Sequence, residues 1–183
     1  MLQNGNIILR YIKESDAKDY SNWIYVENEW MDWDAPWEKD EDLGELLKHY
    51  ADVKEEPKIY SRLQIDTLDE QHIGSVNSYY INGDKSKLAV GIGIYSVSTR
   101  NKGYGAYALS LWMAYVFKNR DIDIIYTQTW SGNLPMVRLA EKVGFVESNR
   151  LINDREVRGL KYDALEFSIT REDFFTKYPH LKL

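Results

Sequence analysis

Residues 92–106 read IGIYSVSTRNKGYGA and run directly into YALSLWMAYVF, residues 107–117. The first part suits a strand, and the second carries Ala108, Leu111, Trp112, Tyr115 and Val116 on one helical stripe, so the stretch predicts strand, turn and a helix over about 104–119. A helix N-terminus leaves amides without partners and concentrates about half a positive charge, which favours an anion there. Gly103 and Gly105 would let that anion approach the main chain, and Arg100 and Lys102 would each add a charge-assisted hydrogen bond of about 1.5–3 kcal/mol. The junction suits a diphosphate. A bare Gly-x-Gly carries little, since glycine near 7% of residues yields about one such pair by chance in a chain this long, and Gly91-x-Gly93 is another. The strand before it and the long helix after it supply the meaning.

Outward from this junction the pattern continues. Asn6–Ile12 reads as a strand, and Ser15-Asp16 as the cap of a helix carrying Tyr20, Trp23 and Ile24. Residues 27–40 lack a period and contain Pro36, which predicts an ordered loop, followed by a helix over about 41–51. Lys58–Asp66, His72–Ile81 and Leu88–Val97 read as an antiparallel meander. After the long helix come a strand at Ile122–Trp130, a helix at Leu134–Val143 stopped by Gly144, strands near Phe145–Ile152 and Glu156–Ile169, and a polar C-terminal tail. Residues 1–183 form one α/β (α+β) domain on this reading, with no repeat or linker.

Composition bounds the function. No apolar run approaches the roughly 20 residues of a membrane span, and MLQNGNIILR lacks a signal-peptide core. With no cysteine, disulfides, thiolate zinc sites and a cysteine nucleophile are excluded, and a soluble cytoplasmic protein is expected. His49, His72 and His180 show no ligand spacing, so no metal is expected. The net charge of −6 argues against general nucleic-acid binding. Residues 27–45 hold nine acids and one lysine, a local −8 that leaves the rest of the chain at +2.

Arg100-Asn101-Lys102-Gly103-Tyr104-Gly105-Ala106 resembles the acyl-CoA pyrophosphate loop of the GNAT superfamily of N-acetyltransferases, (Gln/Arg)-x-x-Gly-x-(Gly/Ala). Asn133, Met136, Leu139 and Glu141–Phe145 are similar to that family's second motif. Ile8-Leu9-Arg10 with Ser15-Asp16-Ala17, and Asp163 with residues 168–172, resemble the branch that contains the ribosomal-protein N-terminal alanine acetyltransferases. The resemblance implies a mixed, mostly antiparallel sheet of about seven strands flanked by helices and splayed between its fourth and fifth strands. It implies acetyl-CoA as acyl donor. Main-chain groups of Tyr95, Ser96 and Val97 would pair with the pantetheine arm, Arg100 to Ala106 would hold the pyrophosphate, and Asn133 would bond the arm while also suiting a helix N-cap. Dimers occur in this family, so a homodimer is an admissible expectation.

Acetyl transfer to an amine requires a neutral nitrogen, an oxyanion stabiliser and an acid for the thiolate. A lysine-like amine must give up roughly 4–5 kcal/mol at pH 7 to be deprotonated, an α-amine only about 1. Many family members place a glutamate on the fourth strand and a tyrosine seven residues after the motif asparagine; here residues 89–93 are AVGIG and position 140 is alanine. The Val97 backbone N–H is the oxyanion candidate by resemblance, and Glu29 or Asp32 the candidate base or amine-recognition group. The acidic window with Trp30, Trp33 and Trp37 suits a cationic acceptor such as a protein N-terminus, a polyamine or an aminoglycoside, although the tryptophans equally suit a core. The expected function is acetyl transfer to a primary amine in a ternary complex, with a catalytically silent acyl-CoA-binding protein as the alternative. A dinucleotide-binding domain is disfavoured, because no Gly-x-Gly-x-x-Gly follows an early strand.

Overall fold

The computed structural model describes residues 1–37 and 58–182, so the helix expected over 41–51 lies outside the described residues. An eight-stranded sheet organises the chain: β1 (Leu2–Asn4), β2 (Ile7–Arg10), β3 (Arg62–Thr67), β4 (His72–Tyr80), β5 (Leu88–Ile94), β6 (Ile124–Trp130), β7 (Val146–Val157) and β8 (Leu160–Thr170), in the spatial order β1-β2-β3-β4-β5-β6-β8-β7. Every neighbouring pair is antiparallel except β5 and β6, which are parallel. The helices are α1 (Asp16–Tyr25), α2 (Tyr104–Asn119), α3 (Leu134–Val143) and α4 (Arg171–Lys177). None of the described helices is long and apolar enough to cross a membrane.

One face of the sheet carries the main core. Ile7, Leu9, Leu63, Ile65, Val76 and Val90 meet Leu109, Trp112, Met113, Val116 and Phe117 of α2, all at most 2% exposed. Burying each such side chain stabilises the fold by about 1.5–3 kcal/mol relative to leaving it in water. The opposite face carries a smaller cluster in which Tyr20, Trp23 and Ile24 of α1 pack with Trp30, Met31 and Tyr95. α1 is pinned there by charge: Arg10 on β2 donates to both carboxylate oxygens of Asp16, at 2.7 and 2.8 Å, and to Asp66. Burial works to lower the Arg10 pKa, and the hydrogen bonds to Asp16 and Asp66 outweigh it, so the guanidinium is held more firmly protonated.

Three expectations are corrected in detail. The N-terminal strand is a hairpin, turned at Gly5 with φ of +55°. The break expected at 153–155 is an irregularity within β7, and the true turn is Arg158-Gly159, both at positive φ. The C-terminal tail contains α4: the Thr170 side chain accepts from Asp173 N–H, and Phe174, fully buried, packs against Phe117.

Candidate active site

β5 and β6 are paired at Ala89–Tyr126, where Thr127 Oγ1 also donates to the Val90 carbonyl at 2.9 Å. Beyond that point they diverge into a cleft of about 1420 Å³. At its mouth stands the N-terminus of α2, entered through Asn101 and Gly103 at φ of +61° and +83°. Gly103, Gly105 and Ala106 line the cleft there, and no acid in the first turn of α2 competes for its amides. Leu139 of α3 lies beside Gly105 at ordinary packing distance from where a side chain there would begin, so α3 borders this end of the cleft. Arg138 and Lys142 of α3 line the same region and were missed from sequence, where Lys142 reads simply as a helix terminus. Lys102 is exposed.

The donor strand differs from expectation. β5 ends at Ile94, and Val97–Thr99 is a 3₁₀ turn. The N–H groups of Tyr95 and Ser96 both donate to the Ile73 carbonyl, at 2.9 and 3.3 Å, and the Val97 N–H faces the Glu27 carboxylate at 3.5 Å. These three residues therefore do not present a free strand edge, and Val97 is not placed as an oxyanion donor. Because strand groups alternate, the Val90 and Ile94 carbonyls, which accept from Thr127 and Arg100, mark the cleft-facing set; Ile92 and Ile94 carry the edge amides on that side. Arg100 also departs from expectation: its guanidinium donates to the Ile94 and Tyr95 carbonyls at 3.2 and 3.1 Å, fixing the end of β5.

Glu29 lines the cleft with its carboxylate 3.5 Å from Arg100 Nη1. Asp32 does not line it, and pairs instead with Arg158 at the β7–β8 turn. Asn133 caps α3, accepting from Met136 N–H at 3.1 Å, and its Nδ2 donates to the Trp33 carbonyl at 3.0 Å. Trp130 Nε1 donates to the same carbonyl at 2.9 Å, so the loop from α1 is fastened across the end of β6. Trp30, Trp33 and Trp37 line the cleft rather than the main core.

The far wall holds groups that no motif announced. Asn77 and Tyr79 of β4 pair with Gly91 and Ala89, and Gln128 of β6 pairs with Glu166 of β8, so all face the cleft. Asn77 Oδ1 has no hydrogen-bond partner and lies 2.4 Å from where a Gly91 side chain would begin, so a larger residue at 91 would require the Asn77 amide to move. Burial first, then the Asp34 and Glu166 charges, push the Tyr79 hydroxyl up to about 12. Burial likewise raises the Tyr95 hydroxyl, which sits 3.1 Å from Ser75 Oγ. Asp16, Asp19 and His72 come together on the other side of α1, where Asp16 is already committed to Arg10.

A splayed parallel pair with a helix N-terminus at its open end suits an extended ligand with an anionic head. The chain belongs to the acetyltransferase (GNAT) domain family, whose pattern matches residues 6–146. It is 31% identical over 75 residues to the SPbeta prophage-derived uncharacterized N-acetyltransferase YokL of Bacillus subtilis, a match spanning 41% of this chain and 42% of that relative. The spermidine N-acetyltransferase from Vibrio cholerae, solved in complex with CoA and spermine, has a TM-score of 0.74 at 21% identity, covering 94% of this chain and 99% of that one. RimJ of Mycobacterium smegmatis, in complex with CoA-disulfide, has a TM-score of 0.68 at 20% identity, covering 92% and 83%. These structural likenesses concern the fold.

Proposed function

We propose that the protein transfers the acetyl group of acetyl-CoA to a primary amine by direct attack within a ternary complex. The observation that carries this reading is the opening between β5 and β6 with the Gly103–Ala106 helix end at its mouth. Amides of the first turn of α2 would hold the pyrophosphate, with Arg138 and Lys142 near it, and the cleft-facing main chain of Ile92 and Ile94 would pair with the pantetheine arm. The same edge is the source of an amide for the thioester oxygen as it gains charge. The Asn133 amide, which donates to the Trp33 carbonyl, would reach the arm on release from it.

The acceptor side favours cations. Glu29, Asp34 and Glu166 line it with Trp30 and Trp33, so an ammonium meets carboxylates and aromatic faces together. An α-amine or a polyamine fits this lining. With alanine and glycine at 89, 91 and 93 on the cleft face, proton removal falls to water ordered by the surrounding carboxylates. We place the protein in the cytoplasm, where acetyl-CoA is available.

Thiol release from acetyl-CoA, measured across peptides with free N-termini, polyamines and aminoglycosides, tests the proposal. Turnover on at least one class is expected. CoA binding with no turnover on any acceptor would establish the silent acyl-CoA-binding alternative instead.

A further inference from the structure

The acceptor wall already holds one ammonium, and it is the protein's own. Lys87, just before β5, places Nζ 3.3 Å from Glu166 Oε1 and 5.2 Å from the centroid of the Tyr126 ring. Glu166 is only 9% exposed, in mid-strand, where a carboxylate is rare without a firm partner. Its partner is not firm. The Lys87 side chain is 42% exposed and hangs from the Asp84–Lys87 turn, so it is a hydrated, flexible group reaching inward from the rim. Tyr126, Gln128 and Glu166, by contrast, are fixed by the β6–β8 pairing.

We propose that Glu166 and the Tyr126 ring form an ammonium subsite for the acceptor, and that Lys87 is an internal competitor which the acceptor displaces. The proposal rests on the acetyl-transfer reading for the term acceptor, while the exchange of one ammonium for another is independent of turnover. A nitrogen held as a cation on Glu166 is not the nucleophile, which must be neutral. The acceptor class is therefore one with at least two nitrogens, one reacting at the thioester and one charged on Glu166: a diamine, a polyamine, or a peptide with a second cationic group near its terminus. Glu166 acts as a positioning residue. Glu166 on β8 and the β5 edge at Ile92 and Ile94 line the same cleft of about 1420 Å³, so an elongated molecule lying in it can reach both.

Calorimetric titration of spermidine into the CoA-loaded protein tests this, comparing wild type, Lys87→Ala and Glu166→Gln. Lys87→Ala is expected to tighten spermidine about fivefold or more, and Glu166→Gln to weaken it about tenfold or more, with CoA affinity the same in all three. Propylamine, a single ammonium at neutral pH, is expected to bind more weakly than spermidine and to follow both substitutions in the same directions, whereas propanol, which carries no charge, is expected to respond to neither. Equal spermidine affinity in the three proteins, binding in none of them, or parallel weakening by both substitutions would overturn the proposal; the last result is what a purely structural ion pair gives. Wild-type spermidine binding that behaves as expected, with no acetylation of any amine, would keep the subsite and remove the acetyl-transfer reading.

Discussion

The two walls of the cleft are built from different materials. On the proposed function the donor wall, β5 and the start of α2, would work through main chain: edge amides at Ile92 and Ile94 and the first turn after Gly103. The acceptor wall would work through side chains drawn from four places, the α1–β3 segment, β4, β6 and β8. Main-chain recognition asks only for the right backbone and for the absence of a side chain, and so it tolerates change elsewhere. Side-chain recognition is assembled from residues far apart in sequence, and each can be replaced singly.

The largest effect that would test this division lies at the anchor of the acceptor wall. Arg10→Met leaves the buried Asp16 and Asp66 without their cation, and a loss of about 3–5 kcal/mol is expected in urea unfolding. Its pH dependence has a definite sign. Burial works to raise the Asp16 pKa, and the Arg10 hydrogen bonds, the Lys13 amide and the neighbouring positive charges together outweigh it, leaving it below 3.8 in the folded protein. The stabilisation is therefore complete above that value and is lost as pH falls through the lower folded one, so wild-type stability should be flat near neutrality and fall in acid. In Arg10→Met the acid loss should shrink or reverse. An unchanged acid profile would mean that α1 is held by packing alone.

A smaller effect is expected at the donor wall. Gly103→Val puts a β-branched residue at φ of +83°, where an ordinary side chain costs about 1–2 kcal/mol, and displaces the amides beside it. CoA affinity should fall roughly 100-fold, equivalent to one or two charge-assisted bonds, with the fold retained. Affinity within threefold of wild type would show that side chains, not main chain, hold the donor. The smallest effect is at Asp32. Its pair with Arg158 is exposed on both sides, so Asp32→Asn should change stability by less than about 1 kcal/mol and leave the acceptor KM unchanged. A tenfold rise in that KM would return Asp32 to the acceptor wall.

This division also accounts for what sequence made legible. The Arg100–Ala106 run is contiguous, Gly103 takes a positive φ, and the helix after it has a clear period, so the turn and the start of α2 could be read locally. Val97 could not: residues 88–97 read as one strand, and only the hydrogen bonds of Tyr95 and Ser96 to Ile73 reveal that the strand has already ended. The Ser96-Val97-Ser98-Thr99 run is the one local hint, since serine and threonine favour turns. No motif singles out Glu166 within the strand expected at Glu156–Ile169; its place in the cleft follows from β8 pairing with Gln128 of β6, which no local pattern encodes. Asp32 is the converse, a residue in the right segment whose 3₁₀ turn, Asn28–Asp32, directs it to Arg158.

The parallel pairing of β5 and β6 has a wider consequence. Two neighbouring strands that point the same way deliver the chain to the same rim, so the segments after Ile94 and after Trp130 emerge side by side although α2 separates them in sequence. Whatever is grafted onto that rim faces the same gap, while the apolar layer under α2 stays untouched. Such a layout makes substrate choice separable from foldability: the rim can drift toward a new amine without first surviving the loss of its core.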